Sequence, residues 1–274
     1  MNRDISLPAR FYRTFPIDNP LGHTIEHLSL TVEQTALLLI DVYGLGYDED
    51  EETSDHHNSN ELPFYLRQVS ANRRIVVDCI VPVKAAAQAA GVPVIYLANR
   101  LSPSLTENSV WRNLSLRVHN VDVLEAWRGP DCGHGKNAIS TASIGFSSIL
   151  EYSEIIRPGR GDYHISKQMY SGFFETTLVS LLTGLGVTNL IMVGFDSNIC
   201  LAMTAVEAMY RDYRVIALRD AIGTSPHANG YMPFSREADW LGERAIRFIE
   251  TNVGYTAASN DWILACNALA GSQG

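Results

Sequence analysis

Residues 189–212 read NLIMVGFDSNICLAMTAVEAMYRD. An apolar run, Leu190 to Val193, stops at Gly194, crosses a short polar stretch and restarts as a helical pattern led by Cys200. A short, unbroken apolar run suits a strand covered on both faces. The glycine and the polar residues behind it supply the turn. The stretch therefore predicts a strand, a tight turn and a helix, the repeating unit of a parallel sheet.

Moving outward, the same unit recurs. TALLLID (35–41) is a second apolar run and ends in Asp41. VPVIYLA (92–98) is a third, followed by Asn99 and Arg100. YHIS (163–166) leads into Lys167, and YRVIALRD (213–220) follows the quoted helix. Helical patterns lie between them: about 66–90, stopped by Gly91; 173–186, FFETTLVSLLTGLG, capped by glycine; and roughly 235–251. YTAAS and DWILACNAL close the chain. Alternating strands and helices predict an α/β fold, a three-layer α/β/α sandwich of Rossmann-like type around a mostly parallel central sheet. Residues 1–30 read as an irregular N-terminal arm, with no regular element expected before residue 35, and 31–274 as one α/β domain.

Composition bounds the function. The chain has 274 residues, 46% of them hydrophobic, and a net charge of −9. It holds no Lys/Arg-rich run, which argues against nucleic acid or an anionic membrane as partner. No apolar stretch approaches the ~20 residues of a membrane span. The polar, proline-containing start lacks the apolar centre of a signal peptide, so a cytoplasmic location is expected. Four cysteines (Cys79, Cys132, Cys200 and Cys266) lie far apart without a CxxC pair. That spacing favours reduced thiols over a disulfide framework or a zinc site.

In parallel α/β folds, active sites sit at the carboxyl ends of strands. Asp41, Lys167 and Cys200 stand at three such ends. Each has an ordinary reading: Cys200 as a small buried apolar residue, Asp41 as a turn residue, Lys167 as a surface lysine. Against these stand three considerations. Cys200 leads a helix, where backbone N–H groups and the macrodipole favour a thiolate. An acid ending a buried strand needs a partner or a task. The turn GFDSNI is a place where backbone amides gather around an oxyanion.

The joint pattern resembles the isochorismatase-like cysteine hydrolases. The matching stretches are LLLIDVYG around Asp41, the run from Ser166 to Ala221, and the terminal GYTAASNDWILACNAL. The segment 167–174, KQMYSGFF, resembles the ureidoacrylate and other amide-hydrolysing members. The resemblance implies a catalytic triad: Asp41 as general acid and base, Lys167 beside it, Cys200 as nucleophile. It implies a cis peptide between Phe195 and Asp196, with the backbone N–H groups of Asp196 and Cys200 as oxyanion donors. The activity implied is hydrolysis of a C–N bond in a small linear amide or ureido compound through a thioester. The alternatives are vinyl-ether hydrolysis of the isochorismatase type, with Cys200 a bystander, and a non-catalytic metabolite-binding member. Homodimers or homotetramers are common in the family and are expected here.

Two positions depart from the family pattern. Tyr43 stands where Gln is frequent, and Asp196 where the turn commonly carries a small residue. The nicotinamidase-like members hold a metal with an Asp and histidines after the second strand. This chain has ANRLSPSLT there, so no catalytic metal and no other cofactor is expected. Substrate contacts are assigned to Asn99, through a hydrogen bond, to Arg100, through a bidentate carboxylate pair, and to Tyr170 and Tyr43 as pocket walls. A turn residue, a surface ion pair and simple packing are their respective ordinary readings. The acidic run 48–55 reads as a solvated loop.

Overall fold

The computed structural model describes residues 3–42, 72–99, 109–119, 152, 155–224 and 236–271. Tyr43, Arg100, Cys132 and the acidic run 48–55 lie outside the described residues. Eight strands form one sheet: β1 (Asp4–Arg13), β2 (Gly22–Thr31), β3 (Thr35–Ile40), β4 (Val94–Asn99), β5 (Tyr163–Lys167), β6 (Asn189–Gly194), β7 (Arg214–Ile222) and β8 (Tyr255–Ala257). Their spatial order is β2-β1-β8-β7-β6-β3-β4-β5. From β8 to β5 every pairing is parallel.

The apolar runs work as the sequence suggests. All six residues of β3, of β4 and of β6 are buried. Alternate side chains feed opposite layers, because successive Cβ atoms point to opposite faces of a strand. Leu37 and Leu39 of β3 join one cluster with Ile191 and Val193 of β6. Ala36, Leu38 and Ile40 join the other with Leu190 and Met192. Each such Leu or Ile withdrawn from water contributes about 1.5–3 kcal/mol.

Helices complete the sandwich. On the first face lie α1 (Val81–Ala90), continued from a π-helical stretch at Ile75–Ile80, and α6 (Ser259–Gly271). On the second lie α3 (Leu178–Leu185) and α4 (Cys200–Tyr210), with Ile249 of α5 (Arg236–Asn252). The remaining described helix is α2 (Val110–His119). Among the described residues no helix is long and apolar enough to cross a membrane.

Two expectations need correction. The first thirty residues are not an irregular arm. β1 and β2 form a hairpin in continuous register from Asp4↔Thr31 to Arg13↔Gly22, and Arg10 pairs with Thr256 to join it to β8. Ile5, Leu7, Ala9, Leu28 and Leu30 are its buried side chains. The alternation was present in the sequence, but Pro8, a residue that cannot donate to a ladder, interrupts it.

The helix expected over 173–186 begins only at Leu178. Ahead of it the Thr176 hydroxyl donates to Gly172 C=O (2.6 Å) and accepts from Leu178 N–H (3.2 Å). These local side-chain bonds replace a first helical turn.

Candidate active site

The strand order places the candidates. Cys200 follows β6, Asp41 follows β3, Asn99 ends β4 and Lys167 ends β5, and these four strands are neighbours in the sheet. The chain passes from β3 to β4 on one side and returns through β6 on the other. The crevice above β3 and β6 is thus a topological switch point, the usual ligand position in open α/β sheets.

Register does the rest. Asn99 is the β-partner of Lys167 across β4 and β5. Asp41 lies one strand further, so the lysine must cross two strand spacings, ~10 Å between backbones. Its Nζ arrives 2.8 Å from Asp41 Oδ2. On the way it donates to Asn99 Oδ1 at 2.5 Å and to Met169 C=O at 3.2 Å. An ammonium has three N–H donors, and Asp41, Asn99 and Met169 offer three oxygen acceptors, with the Cys200 sulfur also within reach. Lys167 is fully buried, and Asp41 and Cys200 nearly so. Lys167 is therefore no surface lysine, and Asn99 gives its carbonyl oxygen to it.

The backbone of Asp41 has φ 51°. This left-handed conformation is uncommon for side-chain-bearing residues, though Asp and Asn adopt it most readily. The Asp41 N–H donates to Leu97 C=O at 2.9 Å, which holds the residue over the end of β4.

The turn ahead of Cys200 is fixed by two glycines. Gly194 has φ 115°, and a Cβ there would collide with the Ile40 carbonyl. At Gly223 a Cβ would strike the Phe195 ring. Their absent side chains let Phe195 N–H reach Ile40 C=O (2.8 Å) and Ser197 N–H reach Gly223 C=O (2.9 Å). The Phe195–Asp196 peptide is cis. The Asp196 carbonyl accepts from Ile199 and Leu201 N–H, both at 3.1 Å. Cys200 is the first residue of α4, where a backbone N–H has no intrahelical partner.

The electrostatics correct one expectation. The start of a helix favours a thiolate, yet the Cys200 pKa is raised well above the ordinary value. Burial is the largest cause, followed by the charge of Asp41; Lys167 pulls the other way, and a hydrogen bond with Asp41 adds to the rise. Burial and the neighbouring carboxylate thus favour the neutral thiol at Cys200. For Lys167 burial acts first, against the charge, but Asp41 and then Cys200 outweigh it and the pKa is raised. Cys266 is buried too, and burial alone lifts its pKa to about 12. Cys200 differs from it in its charged neighbours, not in its depth.

Several residues of the site were missed from sequence. Thr204, fully buried one turn after Cys200, donates to Cys200 C=O (2.7 Å) and accepts from Gly172 N–H (3.0 Å). Glu207 accepts from the Ser171 hydroxyl. The cysteine helix thereby grips the segment that follows Lys167. Trp111 packs edge-on to Tyr170, ring centres 5.9 Å apart. Tyr170, Met169 and Asn198 line an apolar groove of about 670 Å³ between this segment, α4 and α5. A buried polar residue at i+4 from the cysteine was the available signal for Thr204. Among the described residues no group of three or more His, Cys, Asp or Glu side chains is placed to hold a metal.

Comparison with known proteins identifies the family and the fold. The Isochorismatase domain profile matches residues 147–241. A ureidoacrylate amidohydrolase of Acinetobacter baylyi is 30% identical over 196 residues, 72% of this chain and 73% of that one. The chain belongs to the isochorismatase-like cysteine hydrolase family. A second family member named as a ureidoacrylate amidohydrolase, from Yersinia enterocolitica, is 29% identical over 68% of this chain and 72% of its own. The isochorismatase-like fold is shared with a cysteine hydrolase of Pseudomonas syringae pv. phaseolicola, TM-score 0.63 at 23% identity, covering 88% of this chain and 95% of that one.

Proposed function

We propose that the protein is a cysteine-dependent amidohydrolase that cleaves a C–N bond of a small linear amide or ureido compound. The observation that carries this reading is the meeting of Cys200 and Lys167 at one buried carboxylate, Asp41. Relatives named as ureidoacrylate amidohydrolases support the ureido class.

Cys200 rests as a thiol, so attack and deprotonation proceed together. The sulfur adds to the substrate carbonyl carbon as Asp41 takes the S–H proton. Lys167 keeps its own protons, held by the oxygens of Asp41, Asn99 and Met169, and fixes the carboxylate in place. The carbonyl oxygen, now negative, lies against the N–H groups of Asp196 and Cys200; each such donor is worth about 3–4 kcal/mol. The tetrahedral adduct collapses, the C–N bond breaks, and Asp41 returns the proton to the leaving nitrogen. Water then adds to the thioester with Asp41 as base and releases the acid and the thiol.

The test is an ammonia- and amine-release screen over ureidoacrylate, carbamoyl amino acids, biuret-like compounds, nicotinamide and maleamate, run on wild type and Cys200→Ala. Turnover of an amide or ureido compound that Cys200→Ala abolishes is the expected result. Equal turnover by Cys200→Ala removes the nucleophile assignment. Cleavage of a vinyl ether alone, independent of Cys200, replaces the reading by the isochorismatase type.

A further inference from the structure

A second cavity, of about 510 Å³, lies between the β1–β2 hairpin, the end of β7 and α5. Arginines converge on it from three elements: Arg10 of β1, Arg219 of β7 and Arg247 of α5. Three carboxylates also line it: Asp220, Glu243 and Glu250. Formal charge is balanced, so hydrogen-bonding capacity decides what the cavity accepts.

The acceptors are largely spent. Glu250 Oε1 takes Arg10 Nε and the Thr256 hydroxyl, both at 2.7 Å; Oε2 takes His23 Nε2 at 3.0 Å and has Arg247 Nε at 3.7 Å. Both oxygens of Asp220 are held at 2.8 Å by Ser259, through its N–H and its hydroxyl. The donors are not spent. A guanidinium carries five N–H groups. Arg10 and Arg247 meet Glu250 through Nε, Arg247 also lies over the Tyr12 ring at 3.7 Å, and among the described residues the Arg219 guanidinium has no hydrogen-bond or ion-pair partner. The side chains of Arg10 and Arg247 are 28% and 45% exposed, so their outer nitrogens are not sealed off. Of the lining carboxylates, Glu243 alone opposes an incoming anion without a hydrogen-bond or ion-pair partner among the described residues.

We propose that this cavity binds a small molecule bearing a carboxylate or phosphate group, seated on the guanidinium groups of Arg10, Arg219 and Arg247. A planar guanidinium fork matches either oxyanion. The hydroxyls of Ser197 and Thr224, 2.6 Å apart, complete the wall. Ser197 directly follows Asp196, so an occupant lies against the turn that leads into α4. The proposal concerns binding and stands independently of the role given to Cys200.

The test is isothermal titration calorimetry of the full chain at low ionic strength, with inorganic phosphate and succinate titrated separately. At least one is expected to bind saturably; which one does so identifies the source of the oxyanion. Arg219→Gln, which removes no hydrogen bond or ion pair among the described residues, should weaken that binding about tenfold or more with the thermal melt unchanged. Arg247→Gln should weaken it as well, and Glu243→Gln should tighten it. The opposite signs separate this cavity from the active site. Absence of saturable binding by both probes, or binding unmoved by Arg219→Gln and Glu243→Gln, overturns the proposal.

Discussion

Lys167 Nζ lies 2.8 Å from Asp41 Oδ2, with the lysine side chain wholly buried and the aspartate 7% exposed. Taking two charges out of water costs several kcal/mol per ion, and their attraction returns it only with good geometry and satisfied hydrogen bonds. Asn99 and Met169 supply those bonds for the lysine. Such a pair is not there for stability alone, because an apolar pair would serve as well.

Removing one partner should therefore hurt more than removing both charges. Lys167→Met leaves the Asp41 carboxylate buried without its cation and is expected to cost about 3–5 kcal/mol. Urea denaturation measures it. The double variant Lys167→Met/Asp41→Asn should be more stable than Lys167→Met. A single variant as stable as wild type would show that the pair is not buried as described.

Asp41→Asn gives a prediction of opposite sign for reactivity and turnover. In the wild type, burial and then the Asp41 charge hold the Cys200 pKa up, with Lys167 opposing. Asp41→Asn removes the anion and keeps the cation, so the thiol pKa falls. The pH profile of iodoacetamide modification, followed by mass spectrometry on the Cys200 peptide, should shift its midpoint downward. Hydrolysis should drop by ~10²–10⁴, because the proton acceptor is gone. An unchanged or raised midpoint would mean that Asp41 does not govern the thiol.

That contrast marks where sequence reading ends. Helix position alone argues for a thiolate at Cys200, and burial of the sulfur, with the Asp41 charge second, reverses it. The carboxylate's approach depends on strand register, which no local pattern encodes. The strands themselves were legible, since β3, β4 and β6 are apolar on both faces and show it as unbroken runs. Asp41, Asn99, Lys167 and Cys200 were legible as polar or reactive residues at the ends of those runs. That Asn99 would receive the lysine was not, because the partnership Asn99↔Lys167 arises only when β4 and β5 pair. The hairpin was hidden for another reason: one face is solvated, and Pro8 breaks the pattern.

Thr204 ties the nucleophile's helix to the lysine's segment through one hydroxyl. Thr204→Val keeps the shape and removes both bonds, leaving Gly172 N–H without its acceptor. We expect about 1–3 kcal/mol lost from stability and kcat reduced with KM little changed. Thr204→Ser, which restores the hydroxyl, should recover most of kcat. A purely structural residue would lower stability without moving kcat of the folded fraction, so steady-state kinetics below the melting temperature separates the two roles.

Glu250 anchors the hairpin, and its ionisation makes that anchor sensitive to acid. Burial pushes its pKa up, but the Thr256 and Arg10 hydrogen bonds and the Arg10 charge outweigh this and leave it lowered. A carboxyl lowered in the folded state contributes its stability above the unfolded pKa, near 4.5, and loses it as pH falls through the folded value. Glu250→Gln should therefore be less stable than wild type at pH 7, by ~2 kcal/mol. The gap should narrow steadily as pH falls below about 4.5. Thermal melts of both proteins across pH 3–8 measure the difference. A gap that stays constant over that range would mean that Gln disturbs packing at α5 rather than removing a charge that holds β1, β2 and β8 together.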